Sequence, residues 1–496
     1  MPGFPRNPAD YGLADGFDPA YGEKPIDLTY AWQVSALEVI NNMRRYLIFA
    51  ATGLSLLMYS IDSTAVAVAF PHFIKELHTN VLWAGWTVSI YLLAVTSVMP
   101  LMGKLSDGFG RKKVFLTSLV LFAASSLACG LASNIYSLLV FRFIQGIGGA
   151  SFLPTAAGIV SDQFPENRER VIGLFTSIFP IGGIIGPNLG GWLLSHYSWR
   201  YIFYINLPIG VMVMAAIIIL LKSSNPLSRP HIDIAGASLF FAAILSLMLG
   251  LNLIAENFSI PSLLTAVLFF VISGSFFFVF YLHEIKDPDP ILDMPLLRST
   301  PFLAANLYNM MLGAGIMGIF AFIPLYATSV HKLSTLMSGV ILTPRSLTVI
   351  AASFLTSFLL KQWGYRWPMI LGVIIISLST TLLGDQHFRL FSMIGIHFGE
   401  AETLAILMMV TGAGMGIALP ASNNACIELM PEKVATITGL RGMFRSVGGA
   451  FGISLITIIL HTSPTPAIGF QITFILFGLG LLFAIPLVFL MPSGKR

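Results

Sequence analysis

Runs of about twenty apolar residues, enough to cross a hydrocarbon core of about 30 Å as a helix, recur along this entire chain and limit its fold to one class. Fourteen are placed near 46–70, 81–102, 114–133, 137–160, 172–195, 201–221, 235–254, 262–283, 303–328, 337–360, 367–384, 401–420, 439–461 and 468–491. Each must be a helix, because an unpaired backbone group in lipid costs several kcal/mol, and no alternating strand pattern appears. Composition agrees. Of 496 residues, 56% are hydrophobic and 10% charged, with a mean hydropathy of +0.83, against roughly 45–50% and about 25% in soluble domains. A soluble enzyme of this length is excluded, and an all-α integral membrane protein is expected.

Charge sets the expected orientation. Loops on one side hold Arg44, Arg45, Lys104, Arg111, Lys112, Lys113, Arg168, Arg170, Lys222, Arg229, Lys286, Arg298, Lys361, Arg366, Lys433, Lys495 and Arg496, while the other keeps Lys75, Arg200, Lys332 and Arg389. By the positive-inside rule the rich side, with both termini, is cytoplasmic. The net charge of +4 is this bias and not a nucleic-acid footprint. Cys129 and Cys426 fall in apolar spans and form neither a metal site nor a disulfide framework. Residues 1–30 are polar and do not form a cleavable signal peptide. Residues 31–45 read either as an interfacial helix or as a disordered tail.

Residues 145–186 recur 266 positions later without a gap. Gln145, Gly146, Gly148, Leu153, Pro154, Asp162, Pro165, Glu166, Gly173, Leu174, Gly182, Gly183 and Gly186 align with Thr411, Gly412, Gly414, Leu419, Pro420, Glu428, Pro431, Glu432, Gly439, Leu440, Gly448, Gly449 and Gly452. Related halves of this kind build alternating-access carriers. The offset pairs spans 4 and 5 with 12 and 13. The expected organisation is therefore a tail over 1–45, a six-helix bundle over 46–221, two inserted helices within 222–302, a second bundle over 303–491 and a tail over 492–496.

The loop after the second span reads Gly103-Lys104-Leu105-Ser106-Asp107-Gly108-Phe109-Gly110-Arg111-Lys112-Lys113. Its glycines allow a tight turn, and Asp107 and Arg111 can pair with helix ends and with each other. A basic turn that only sets topology is the plain alternative. The spacing nevertheless resembles the signature loop of the major facilitator superfamily. In the fifth span Gly173, Gly182, Gly186-Pro187 and Gly190-Gly191 permit close, bendable helix packing, and their spacing resembles the antiporter motif of drug:proton exporters. The second half has Ile453 for Pro187, and Ile456-Thr457 for the Gly pair. Residues 62–71, from Asp62 to Pro71, and 199–208, from Trp199 to Pro208, resemble further motifs of the fourteen-helix drug:proton antiporter family (QacA/EmrB type). Ala67 departs from that pattern, standing where members usually carry Asn. The resemblance covers 46–490 and implies the major facilitator fold: two pseudo-symmetric six-helix bundles plus two inserted helices.

Asp62 is the acidic residue deep inside a predicted span, about 24 Å from its inner end at 1.5 Å per residue. Ionisable groups at such depth are costly and mark ion or proton paths. Dry surroundings favour the protonated carboxyl and a nearby cation favours the ionised one, so alternation between the two loads and releases a proton. Arg142, at comparable depth in the fourth span, is the expected partner. A permanent ion pair is the alternative. No histidine lies deep in a span; His72, His78, His196, His331, His387, His397 and His461 sit at external ends.

Arg345, Arg441 and Arg445 lie inside apolar spans of the second half. The last two replace Phe175 and Phe179 of the repeat and share one helix face. Capping, or pairing with Glu428 and Asp107, would account for Arg441; Arg345, near the midplane, could receive an anionic head group. Tyr59, Trp86, Tyr91, Asn306, Asn309, Phe320 and Tyr326, on spans 1, 2 and 9 that line the cavity in the resembled family, are candidate cavity residues, as are Gln145 and Arg345. Gly103, Asp107, Gly110, Arg111, Asp162, Gly173, Gly182, Gly186, Pro187, Gly190, Gly191 and Arg445 are candidates for conformational motifs.

The expected function is proton-coupled export of amphipathic or drug-like compounds across the inner membrane. The alternatives are a dedicated exporter or flippase for a lipid, fatty acid or metabolite, and a receptor or scaffold without transport. No Gly-x4-Gly-Lys-Ser/Thr nucleotide loop is present. No cofactor, metal or nucleic acid is expected; the partners are substrate, protons and membrane lipids, and the protein is expected to be a monomer.

Overall fold

The computed structural model describes residues 28–79, 81–222, 233–256, 259–287, 298–333, 335–385 and 399–494. Arg229, Arg389, His387, His397, Lys495, Arg496 and most of the N-terminal tail lie outside them. The described residues contain no strand. They form fourteen helices long and apolar enough to span a membrane: α1 (Asn42–Glu76), α2 (Trp83–Phe109), α3 (Arg111–Gly130), α4 (Ile135–Gln163), α5 (Pro165–His196), α6 (Arg200–Leu220), α7 (Ala235–Ile254), α8 (Ile260–Glu284), α9 (Thr300–Ser329), α10 (Met337–Trp363), α11 (Arg366–Leu383), α12 (Glu400–Leu429), α13 (Val434–Thr462) and α14 (Pro466–Phe489). Helical conformation begins at Leu28, so residues 31–45 are helical.

Packing follows the repeat. Two apolar clusters draw their buried members from α1–α6 and the connections between them, among them Tyr59, Phe122, Phe152 and Trp199. A third cluster is built from the second half, around Tyr326, Phe470 and Phe474. The inserted helices α7 and α8 pair with each other, and α7 also lies against α2 and α13. Ser273 Oγ donates to the Ala243 carbonyl at 2.8 Å within that pair, and Ser454 Oγ of α13 donates to the Leu251 carbonyl at 2.7 Å. The outer face of α8 exposes Leu264, Val267, Leu268, Val271 and Phe278, as a lipid-facing helix must.

The halves differ where their sequences diverge. In α5 the helix breaks between Thr176 and Ile178. Pro180 has no N–H to give the Thr176 carbonyl, and the hydroxyls of Thr176 and Ser177 bind the Gly173 carbonyl at 3.0 and 2.8 Å, competing with the helix ladder. Ser446 occupies the equivalent position in α13, which stays continuous over Val434–Thr462. In α9 the ladder widens to a π-turn over Ala314–Gly318, a distortion frequent at functional sites.

Candidate transport and proton-coupling site

Asp62 and Arg142 meet in the interior of the first half. Arg142 Nη1 lies 2.6 Å from Asp62 Oδ2, with both side chains wholly buried. Asp62 Oδ1 accepts from Asn206 Nδ2 at 2.8 Å and from Gln145 Nε2 at 3.1 Å. Arg142 also donates to the Thr87 carbonyl at 3.0 Å and to Gln145 Oε1 at 2.8 Å. Ser126 Oγ accepts from both amides, at 3.0 and 2.9 Å. Three side chains and one backbone carbonyl, from α2, α3, α4 and α6, thus surround one ion pair. The guanidinium lies 4.0 Å from the Tyr91 ring centre. Its Nη2, and the Tyr91 hydroxyl, have no hydrogen-bond partner among the described residues.

Sequence reasoning proposed Asp62 and Arg142 but missed Asn206, which had entered only as part of a motif. An amide inside an apolar span was the available signal, since buried polar groups demand partners. Gln145 and Tyr91, nominated for the cavity wall, belong to this network.

The glycine face of α5 abuts the stretch of α1 that carries Asp62. A Cβ at Gly182 would meet the Ser60 side chain, and one at Gly186 would meet Thr64 Oγ1 and, at 3.0 Å, the Ile61 carbonyl. At Gly190 it would lie 3.1 Å from the Ala65 carbonyl. Ser60 Oγ donates to the Phe179 carbonyl at 2.6 Å and Thr64 Oγ1 to that of Gly182 at 3.3 Å. Gly183 and Gly191 face open space. Gly173 points elsewhere, against Ser357 of α10. Pro187 lies inside the Ile178–His196 helical segment.

At the seam of the two halves a cavity of about 120 Å³ is lined by Leu153, Thr176, Phe179 and Pro180 from the first half and by residues of α9, α10, α12 and α13, including Arg441 and Arg445. None of the nine residues nominated for the cavity wall lies in this lining. The Tyr59 ring packs at a tilt against Tyr91 and Phe179, with ring centres 6.1 and 5.7 Å apart. Trp86 lines a separate lateral hollow with Trp83 and Phe143. Asn306 and Asn309 donate to carbonyls one turn earlier in α9, at 3.0 and 2.7 Å, and the Tyr326 hydroxyl donates to the Leu383 carbonyl at 2.8 Å. Arg345 lies 4.0 Å over the Phe320 ring. Arg445, nominated as a conformational residue, faces the cavity. Among the described residues Arg441 pairs with neither Glu428 nor Asp107; Asp107 is engaged by Arg111 and Thr436.

Asp107 joins the halves at the Lys/Arg-rich end. Its Oδ2 accepts from the backbone N–H and the hydroxyl of Thr436, each at 2.9 Å, in the first turn of α13, where an anion is favoured by the helix dipole. Its Oδ1 takes Arg111 at 3.2 Å. Arg111 also reaches Asp162 Oδ2 at 2.5 Å and the Gly158 carbonyl. Gly110, at φ 94, turns the chain between α2 and α3 in a conformation glycine favours. Gly103 backs onto Ala435 and Thr436 so closely that a Cβ would collide with their backbone. Nearby, Lys361 reaches the Glu166 carbonyl and Asn167 at 3.2 Å, and the Tyr365 hydroxyl donates to Glu169 at 2.9 Å. Burial, then the Glu169 and Glu428 carboxylates, push the Tyr365 pKa up, so it remains a donor. Hydrogen bonds between α1–α6 and α9–α14 among the described residues cluster toward this end.

Asp233, His283 and Asp287, at the same end of α7 and α8, place their ligand-type atoms within 4.8 Å of one another. Asp233 Oδ1 is already engaged by the Gly236 N–H and by His283 Nε2, both at 2.8 Å. The group caps α7 and ties it to α8.

Fourteen apolar helices among the described residues, in two related halves, with a buried acid–base network in one half and a cavity at their seam, define a membrane carrier. The chain belongs to the Major Facilitator Superfamily, whose model matches residues 52–384 and 305–496; this is a family of transporters, not enzymes. It is 31% identical over 410 residues to Multidrug resistance protein 3 of Bacillus subtilis, covering 81% of this chain and 77% of that one. It is 29% identical over 419 residues to the multidrug transporter protein MdtP of the same organism, covering 83% and 74%. The human organic anion transporter MFSD10 (TETRAN) shares the fold, with a TM-score of 0.63 over 90% of this chain and 99% of that one, at 14% identity.

Proposed function

We propose that this protein is a proton-coupled antiporter exporting amphipathic compounds across the inner membrane by alternating access, with both termini cytoplasmic. The buried Asp62–Arg142 pair carries the reading. A proton added to Asp62 leaves Arg142 as an uncompensated buried cation, a condition that costs about 3–5 kcal/mol. The network must then rearrange or the proton must leave. Rearrangement moves α1 against α4, and the close α1–α5 contact passes that motion to the helix bearing Phe179 and Pro180 at the cavity; loss of the proton restores the pair. The Asp107–Thr436 contact holds the cytoplasmic end closed and must open for substrate to enter from that side. With one deep acid, about one proton crosses per cycle.

Similarity to multidrug transporters supports export as the direction and amphiphiles as the cargo. Purified protein in proteoliposomes with a pH-sensitive dye tests the reading. Adding substrates from a panel of cationic, neutral and anionic amphiphiles is expected to move protons against at least one of them. No proton movement with any member, in vesicles that demonstrably bind them, counts against coupling and favours the receptor alternative.

A further inference from the structure

The seam cavity carries two arginines and no carboxylate in its lining. Arg441 is 2% exposed, and Arg445 stands one turn further along the same face of α13. Arg441 Nη1 and Arg445 Nε have no hydrogen-bond partner among the described residues, and no described carboxylate forms an ion pair with either guanidinium. Buried donors are ordinarily satisfied, and a buried cation without a counter-ion is costlier still. A buried guanidinium and a part-buried one whose Nε is enclosed, side by side and aimed into one cavity, point to an anion that arrives with the cargo.

The internal repeat shows where this feature is localised. The first-half counterparts of Arg441 and Arg445 are Phe175 and Phe179, and Phe179 lines the same cavity. One wall therefore offers paired guanidinium groups, while the other offers Phe179, Leu153 and Pro180. That asymmetry fits a molecule with an acidic head and an apolar body. Asn423 adds an amide to the lining, donating to Thr176 at 3.2 Å.

We infer that Arg441 and Arg445 form an anion subsite, and that the cargo class is a small amphiphile bearing a carboxylate, sulfonate or phosphate group. Arg is suited to this, since its planar fork pairs with such groups through two parallel hydrogen bonds. A cationic amphiphile would bring a third positive charge into a space with two. This deepens the export reading, on which it rests for the word cargo, but the subsite itself is testable by binding alone.

The test uses the full-length protein in neutral phosphatidylcholine nanodiscs, with decanoate, decanol and decyltrimethylammonium as chain-matched probes. Decanoate is expected to bind at least about ten-fold more tightly than either other probe, since each charge-assisted bond is worth a factor of that order. Arg445→Phe, which restores the repeat counterpart and removes a part-buried charge, is expected to erase the preference; Arg441→Lys is expected to keep part of it. Equal binding of all three probes, preference for the cation, or an unchanged preference in both Arg445→Phe and Arg441→Phe overturns the subsite. Nanodiscs containing phosphatidylglycerol separate two sources of the anion. Competition with decanoate identifies a lipid head group as an occupant, and its absence a soluble acid; both outcomes support the site.

Transport then distinguishes the two claims. An anion leaving as a proton enters moves two positive charges inward, so exchange should accelerate under an inside-negative potential, whereas a monovalent cation exchanged for one proton moves none. Decanoate binding without proton flux leaves the subsite standing and sinks the antiport reading. Proton flux with the cation alone does the reverse.

Discussion

Replacing Asp107 with Ala removes both hydrogen bonds that tie the first half to the first turn of α13, the 2.9 Å contacts with the Thr436 N–H and hydroxyl. A hydrogen bond to a charged group contributes about 1.5–3 kcal/mol net. The two share one carboxylate oxygen and are not additive, so about 2–4 kcal/mol is a reasonable loss to the closed form. The Arg111 contact lies within the first half and does not bias one arrangement against another. Such a loss shifts the ratio of open to closed forms about 30- to 700-fold, enough to raise an open population of about 1% to about a fifth or more. Spin labels at Glu166→Cys and Glu432→Cys, exposed positions in equivalent loops of the two halves, report the separation of the halves at this end by double electron–electron resonance. The native thiols are buried and should stay unlabelled. Asp107→Ala is expected to add a longer distance, and Thr436→Val, which keeps the backbone N–H, to add less of it. An unchanged distribution in a folded Asp107→Ala protein would refute the role of this contact.

Three further outcomes follow from the packing. Gly186→Val is expected to abolish transport by driving a side chain into Thr64 and the Ile61 carbonyl, with Thr64→Ala restoring part of it; Gly183→Ala, facing open space, should be silent, and equal damage at both positions would count against the α1–α5 contact. Asn206→Leu removes the 2.8 Å bond to Asp62 and the 2.9 Å bond to Ser126, and should cost about 2–3 kcal/mol, seen as a lowered Tm with slowed exchange; a Tm at the wild-type value contradicts the network. Cys129 and Cys426 should resist maleimide until the protein is denatured, and labelling of either in the native protein would contradict their burial.

The fourteen helices were legible because lipid leaves the backbone one solution and hydropathy reports it directly. Asp62 and Arg142 were legible for the same reason, since an acid and a base at comparable depth in apolar runs of one bundle are each other's cheapest partner. What escaped was the partner shell. Asn206 is separated from Asp62 by 144 residues, and nothing in one sequence says which amide closes a network. The lining of the seam cavity was not legible either. Asn306 and Asn309 looked like cargo-binding groups, but each donates its amide N–H to a carbonyl of the preceding turn, and Asn309 Oδ1 accepts from Ser422. Arg345 looked unpaired until the Phe320 ring was placed beneath it. The break in α5 was readable in part from Pro180, though its consequence, Phe179 turned toward the seam, depends on packing.

Proton movement in proteoliposomes, compared between wild type and Asp62→Asn under the same substrate gradient, tests the central claim most directly. The amide preserves the size of the side chain and an acceptor for Arg142, but has no proton to exchange. The expected result is substrate binding without substrate-driven proton flux. Full coupled flux in Asp62→Asn would contradict the assignment of the proton to this carboxylate.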